Sequence, residues 1–145
     1  MFLDKDSCAS FLVIENSDIR TVIAAIDKGG LRIGLVINNK GKLLGTISDG
    51  DIRRGLLRGL TLDTSLLKIM NKSCLKANIQ TNKDQISKMM RENGISQIPI
   101  ISENNDFIGL DRAMISDMYD TRFNSLLIDL ISIVSFSYSY LFMLG

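Results

Sequence analysis

The feature that most constrains this chain is that it matches itself. Sliding the 145-residue sequence by 64 positions lays Val22, Ala25 and Ile26 over Ile86, Met89 and Met90, and Gly30-Leu31 over Gly94-Ile95. The same shift lays Val36-Ile37 over Ile100-Ile101, and Leu43-Leu44-Gly45 over Phe107-Ile108-Gly109. No gap is needed between residues 17 and 45. A shared register of that length means two copies of one supersecondary unit. A unit this small buries too little apolar surface to stand alone, so the copies are expected to pack on each other.

Both copies carry the same local signals. Ser17-Asp18 opens the first and Thr81-Asn82 the second, each supplying a side-chain oxygen for the free amides of a helix start. Apolar residues then recur at helical spacing: Ile19, Val22, Ile23 and Ile26 in copy one, Ile86, Met89 and Met90 in copy two. Gly29-Gly30 and Asn93-Gly94 end those helices. Short apolar runs follow at Ile33 to Ile37 and Ile98 to Ile101, then turns at Asn38-Asn39-Lys40-Gly41 and Glu103-Asn104-Asn105-Asp106. Second runs, Leu43 to Ile47 and Phe107 to Leu110, complete two hairpins. Copy one continues into a helix over Ile52 to Leu57 that stops near Gly59. Lead-in strands are expected at Phe11 to Ile14 and at Cys74 to Ile79. The prediction is an α+β fold with pseudo-two-fold symmetry, each copy a small three-stranded sheet with two helices, and clefts where the copies meet. Residues 8–60 form the first copy, 61–118 a packed connector and the second, and 119–145 an apolar tail that matches neither.

Composition narrows the chemistry. The chain has no histidine and only two cysteines, which excludes His-based nucleophilic catalysis and, for Cys8 and Cys74 so far apart, a CxxC redox motif or a zinc site of their own. No catalytic residue and no metal ligand is assigned. A net charge of +1 speaks against a nucleic-acid face. The reduced cysteines and the acidic N-terminus, which lacks a secretory pattern, point to the cytoplasm. Asp4, Lys5 and Asp6 read as a solvated end, the methionines as core or interface filler, and Pro99 as shaping the start of a strand in a cleft wall.

One stretch carries candidate chemistry: Gly45-Thr46-Ile47-Ser48-Asp49-Gly50-Asp51-Ile52-Arg53-Arg54. It spans the end of a strand and the start of a helix, where free amides attract anions. Arginines suit phosphate, and Ser48 and Asp51 can bond the hydroxyls of a ribose. The same residues can equally cap the helix and be solvated, and the two roles are compatible.

This two-copy strand, helix, hairpin, helix pattern, with Gly-x-x-Ser-x-x-Asp after the last strand, resembles a pair of CBS domains, a Bateman module, over about residues 8 to 115. The stretch LLGTISDGDIRRGLLRG with the lone proline in QIPII is similar, more narrowly, to the CBS pair ahead of bacterial sugar-phosphate nucleotidyltransferase domains. The resemblance implies a regulatory module rather than an enzyme. It implies AMP or ATP as ligand, with no cofactor required, and a homodimer formed by face-to-face packing. It places Ser48 and Asp51 on the ribose and Arg53 or Arg54 on the phosphates. It puts Leu35, Val36 and Ile37 at the adenine, with Gly45, Thr46 and Ser17 nearby. Copy two departs from the pattern: Arg112 stands opposite Ser48 and Ile115 opposite Asp51, so at most one intact site per chain is expected.

Two other readings stay open. The module could serve only for dimerisation, without a ligand. Alternatively, Asp49, Asp51 and the arginines could hold Mg²⁺ and phosphate for phosphoryl transfer, although no P-loop or general base accompanies them. No glycine-rich nucleotidyltransferase loop follows the repeats, which leaves a truncated nucleotidyltransferase fragment as one origin of the chain. From Ser125 to Gly145 the only charge is Asp129. Three readings compete there: an apolar element packed on the module or a twin, a non-native end, or a membrane segment. Five serines and the missing basic flank speak against the last.

Overall fold

The computed structural model describes residues 1–113. The expectations for Ile115, for the second copy beyond residue 113 and for the tail from residue 119 lie outside the described residues. Within them the fold is α+β, two repeats in tandem.

The first repeat contains β2 (Leu12–Ile14), α1 (Ile19–Gly29), β3 (Ile33–Ile37), β4 (Leu43–Ser48) and α2 (Asp49–Leu57). The second contains β5 (Ala77–Asn78), α3 (Lys83–Asn93), β6 (Gln97–Ile101) and β7 (Phe107–Arg112). The 64-residue offset holds in the strand ladders. Ile33 pairs with Ser48, and Gln97 with Arg112; Ile37 pairs with Leu43, and Ile101 with Phe107. The register shifts at the same place in both hairpins, between Val36 and Ile37 and between Ile100 and Ile101. β2 joins β3 in parallel as β5 joins β6.

Local chemistry explains the helix ends. Asp18 Oδ1 accepts from the Thr21 amide at 2.9 Å, and Asn82 Oδ1 accepts from the Gln85 amide at 2.9 Å. Both pairs satisfy an amide that has no partner within its helix. Gly30 (φ 68°) and Gly94 (φ 62°) close the two helices in the left-handed conformation that glycine adopts without a Cβ penalty.

One element escaped the sequence reading. β1 (Phe2–Asp4) pairs antiparallel with β7, so the second sheet has four strands in the order β1-β7-β6-β5 rather than three. The segment around Asp4 is therefore a sheet edge and not a free end. It was missed because a three-residue strand carries almost no periodic signal. Its counterpart in the first repeat is Asn71, which bridges to Thr46 with bonds of 3.2 and 2.9 Å. Each repeat's last strand thus receives the chain segment that leads into the other repeat. Both contacts need a glycine. A Cβ on Gly45 would lie 2.5 Å from the Asn71 carbonyl oxygen, and one on Gly109 would collide with the Leu3 carbonyl and the Phe2 ring.

Among the described residues the buried apolar side chains include two clusters, beside Ile86, Met90, Ile98 and Ile100 of the second repeat. Val13, Ile19, Val22, Ile26, Val36, Ile47 and Ile52 pack between the helices and sheet of the first repeat, together with Leu66 and Ile69 of the connector. Phe11, Leu35, Ile37, Leu43, Phe107 and Leu110 pack between the two repeats, with Cys8. β3 therefore has both faces covered, which explains its continuous apolar run. The connector is packed as predicted. Its carbonyls at Leu62 and Thr64 accept from the Arg20 and Ile19 amides at 2.9 and 3.0 Å, and a 3₁₀ turn at Leu66–Lys68 buries Leu66 completely.

Candidate functional site

The head of α2 is built by a reciprocal pair. Ser48 Oγ accepts from the Asp51 amide at 3.2 Å, and Asp51 Oδ2 accepts from the Ser48 amide at 2.8 Å and from the Ser48 hydroxyl at 2.7 Å. This is a capping box, and it starts α2 at Asp49, three residues before the apolar pattern placed it. The Arg54 guanidinium donates to Asp51 Oδ1 at 2.6 Å, one turn along the same face. Burial pushes the Asp51 carboxyl up, but the bonds from Ser48 and the charge of Arg54 outweigh it and hold the carboxyl below its ordinary value. Asp51 is thus ionised at neutral pH and acts as a fixed acceptor.

This pair opens onto a cleft of about 720 Å³, within the size range of small-molecule sites. The first repeat contributes Gly30 to Ile33, Thr46, Ser48, Asp51 and Arg54. The connector side contributes Asn71, Cys74 and Leu75. The second repeat contributes Asn93, Ile95 to Gln97, Pro99 and Arg112. The Gln97 side-chain amide donates to the Leu31 carbonyl at 3.1 Å and ties the two repeats beside the cleft.

The structure sorts the predicted residues. Ser48, Asp51, Arg54 and Thr46 line the cleft. Arg53 does not; it lies with Asp49 on a second groove of about 710 Å³ between α1 and α2, with Ile23, Leu56 and Leu57. Adjacent helical residues diverge by about 100°, so Arg53 and Arg54 cannot share a face. Leu35, Val36 and Ile37 are core residues, with Val36 facing the helices and Leu35 and Ile37 facing the other repeat. The apolar lining comes instead from Leu31, Ile33, Leu75 and Ile95. Gly45 sits at the close approach of Asn71. Ser17 is not among the residues lining the cleft, and its carbonyl accepts from the Leu66 amide at 3.1 Å.

Pro99 lines the cleft as expected, yet it is the third residue of β6 and fully buried. β5 pairs only with Ile100 and Ile101, so the proline stands where β6 has one partner strand. Arg32 and Arg112 also line the cleft, although no local motif marks them for it. The 64-residue offset had already paired Arg112 with Ser48, and that was the available signal. Both thiols are free; Cys8 is buried, and Cys74 half-buried. Among the described residues no cluster of acidic or thiol side chains could hold a metal, and no helix is long and apolar enough to cross a membrane.

The comparisons agree with this fold. The family model described as CBS domain matches twice, over residues 11–58 and 66–110, more than half of the chain. An uncharacterized protein of Methanocaldococcus jannaschii is 25% identical over 99 residues, which is 68% of this chain and 24% of that protein. The chain spans less than a third of the length of the curated relatives it matches. A CBS domain protein from Pyrobaculum aerophilum, solved in complex with AMP, shares the fold with a TM-score of 0.64 and 20% identity, covering 83% of this chain and 90% of that one. The cytosolic domain of the Mg²⁺ channel MgtE, solved with ATP, gives a TM-score of 0.61 at 18% identity, covering 76% of this chain and 44% of that one.

Proposed function

The chain belongs to the CBS domain family as a tandem pair, and from that premise we propose that it is a regulatory module binding one adenine nucleotide per chain. The observation that carries this reading is the Ser48–Asp51 pair at the head of α2, facing the cleft with Arg54 beside it. An ionised, half-buried carboxylate can accept from the vicinal hydroxyls of a ribose. The AMP and ATP held by the two structural relatives support an adenine nucleotide as ligand. In this reading AMP or ATP is a ligand rather than a cofactor, the chain performs no catalysis, and it acts in the cytoplasm. The division into repeats at residues 60 and 61 belongs to the same reading.

Binding regulates only if two arrangements of the module differ in affinity for the ligand. The exposed α1–α2 groove supports a homodimer as the element that changes. Leu57 is 82% exposed there, beside Ile23 and Leu56, with Asp27, Asp49, Arg32 and Arg53 around them. A self-complementary face of this kind suits a two-fold contact. The regulated partner is proposed to be a sugar-phosphate nucleotidyltransferase, supported by the similarity of the stretch from Leu43 to Gly59.

Isothermal titration of the chain with AMP and ATP tests the reading. One site per chain, weakened at least tenfold in Asp51→Asn, is expected. Two equal sites, or affinity unchanged in that variant, would overturn it. Light scattering of the chain and of Leu57→Glu tests the dimer: the parent should be dimeric and the variant monomeric.

A further inference from the structure

The cleft's charge is more specific than the chain's. It is lined by three arginines, Arg32, Arg54 and Arg112, against one carboxylate, Asp51. Asp51 is occupied by Arg54 and by both donors of Ser48. Neither Arg32 nor Arg112 has an acidic partner within 4 Å among the described residues. Two arginines without an acidic partner among the described residues therefore line one cleft, Arg32 exposed and Arg112 half-buried.

Their origins differ. Arg112 ends β7, at the register position that Ser48 holds in β4: Gln97 pairs with Arg112 as Ile33 pairs with Ser48. Where the first repeat has a hydroxyl that reads a neutral sugar, the second has a cation that cannot accept a hydrogen bond at all. Arg32 follows Gly30-Leu31 at the end of α1, and its backbone is left-handed at φ 56°. Both residues line the cleft that holds Ser48 and Asp51, one from each repeat, and Arg32 also borders the α1–α2 groove.

We propose that Arg112 and Arg32 form the phosphate-binding wall of this cleft, so that it selects a phosphorylated nucleoside over a nucleoside or a sulfonium-bearing S-adenosyl compound. The second repeat has exchanged its own ribose contact for a phosphate contact to the ligand of the first, and one anion then bridges both repeats. Planar guanidiniums bond phosphate oxygens bidentately and repel a sulfonium. This rests on the nucleotide reading above.

The test is titration calorimetry with AMP, adenosine and inorganic tripolyphosphate, on the parent chain, Arg112→Gln and Arg32→Gly. The glycine variant suits the left-handed backbone and supplies a second, independent arm. The parent should bind AMP at least tenfold more tightly than adenosine. Each variant should lose about tenfold to a hundredfold toward AMP and tripolyphosphate, the range of a charged hydrogen bond, and keep its adenosine affinity within about twofold. Equal parent affinity for AMP and adenosine, or AMP affinity unchanged in both variants, overturns the phosphate wall and leaves the nucleoside reading standing. Tripolyphosphate binding that falls in the variants, with no adenine compound bound, supports the wall and overturns the adenine reading. A parent that binds none of the three overturns both.

Discussion

Asp51 accepts two hydrogen bonds from Ser48, one from its amide at 2.8 Å and one from its hydroxyl at 2.7 Å, while the Ser48 oxygen accepts from the Asp51 amide in return. The pair is at once the cap of α2 and the polar centre of the cleft. Capping orients the carboxylate before any ligand arrives, so the acceptor geometry costs little to organise on binding.

Replacing either partner should therefore show in stability as well as in binding. Ser48→Ala and Asp51→Ala should each destabilise the fold by about 0.5–2 kcal/mol, the usual cost of losing an N-cap. Their double mutant should fall short of the sum, because the two groups serve one interaction. Urea unfolding of the three variants checks this; strict additivity would show that they act separately.

The lowered pKa of Asp51 makes that contribution pH-dependent. The folded-state value lies below the unfolded one, so the stabilisation is complete above about pH 4 and fades as pH falls through the folded value. The stability gap between the parent and Asp51→Asn should be widest at neutral pH and narrow below about pH 4. A gap that is constant from pH 7 to pH 3 would contradict the ionised pair.

Gly45 offers a test of the exchanged lead-in segments. Gly45→Ala forces a methyl group to 2.5 Å from the Asn71 carbonyl oxygen, against backbone that a 2.9 Å bridge holds in place. Overpacking of this kind costs about 1–3 kcal/mol. Gly109→Ala should behave alike by displacing β1. Thermal unfolding of each variant is the measurement, and full parental stability in either would argue against the close approach.

The connector is a structural element, and adjacent leucines separate the possibilities. Leu66 is fully buried, whereas Leu67 is exposed. Leu66→Ala should cost about 2–5 kcal/mol, and Leu67→Ala should stay within about 0.5 kcal/mol. Equal effects in denaturant titrations would mean that the connector is loose.

The thiols should be sluggish. Burial, reinforced by Asp4, pushes Cys8 up to about 11, and burial also raises Cys74. At pH 8 that leaves Cys8 about a thousandth ionised, and the thiolate is the reactive form. A disulfide-exchange reagent should label the native chain much more slowly than the unfolded one; rapid labelling of Cys8 in the native state would refute its burial.

Much of this architecture is written in the order of residues. The 64-residue repeat, the caps at Asp18 and Asn82, the glycine stops and the hairpin turns are short-range signals, and each reappears at its place. The candidate site was half visible. Ser48, Asp51 and Arg54 follow from spacing along one helix face, because i and i+3 share a side. Arg53 lies on the other groove, since neighbouring helical residues point apart. Leu35, Val36 and Ile37 are buried in the core, and an apolar strand reads the same in a cleft wall and in a core.

The sequence by itself determined that there are two like units, the order of helices and strands within them, and which helix start carries the Ser48–Asp51 pair. Only the tertiary structure decided which side chains share a space. Arg112 lies 64 residues from Ser48, and no local periodicity links them. They meet over one cleft because the repeats pack together through Leu35, Ile37, Phe107 and Leu110. The same packing lets the segment before each repeat complete the sheet of the other. Contacts between distant segments are set by hydrophobic burial across that interface, which depends on the folded surface as a whole and not on any window of residues.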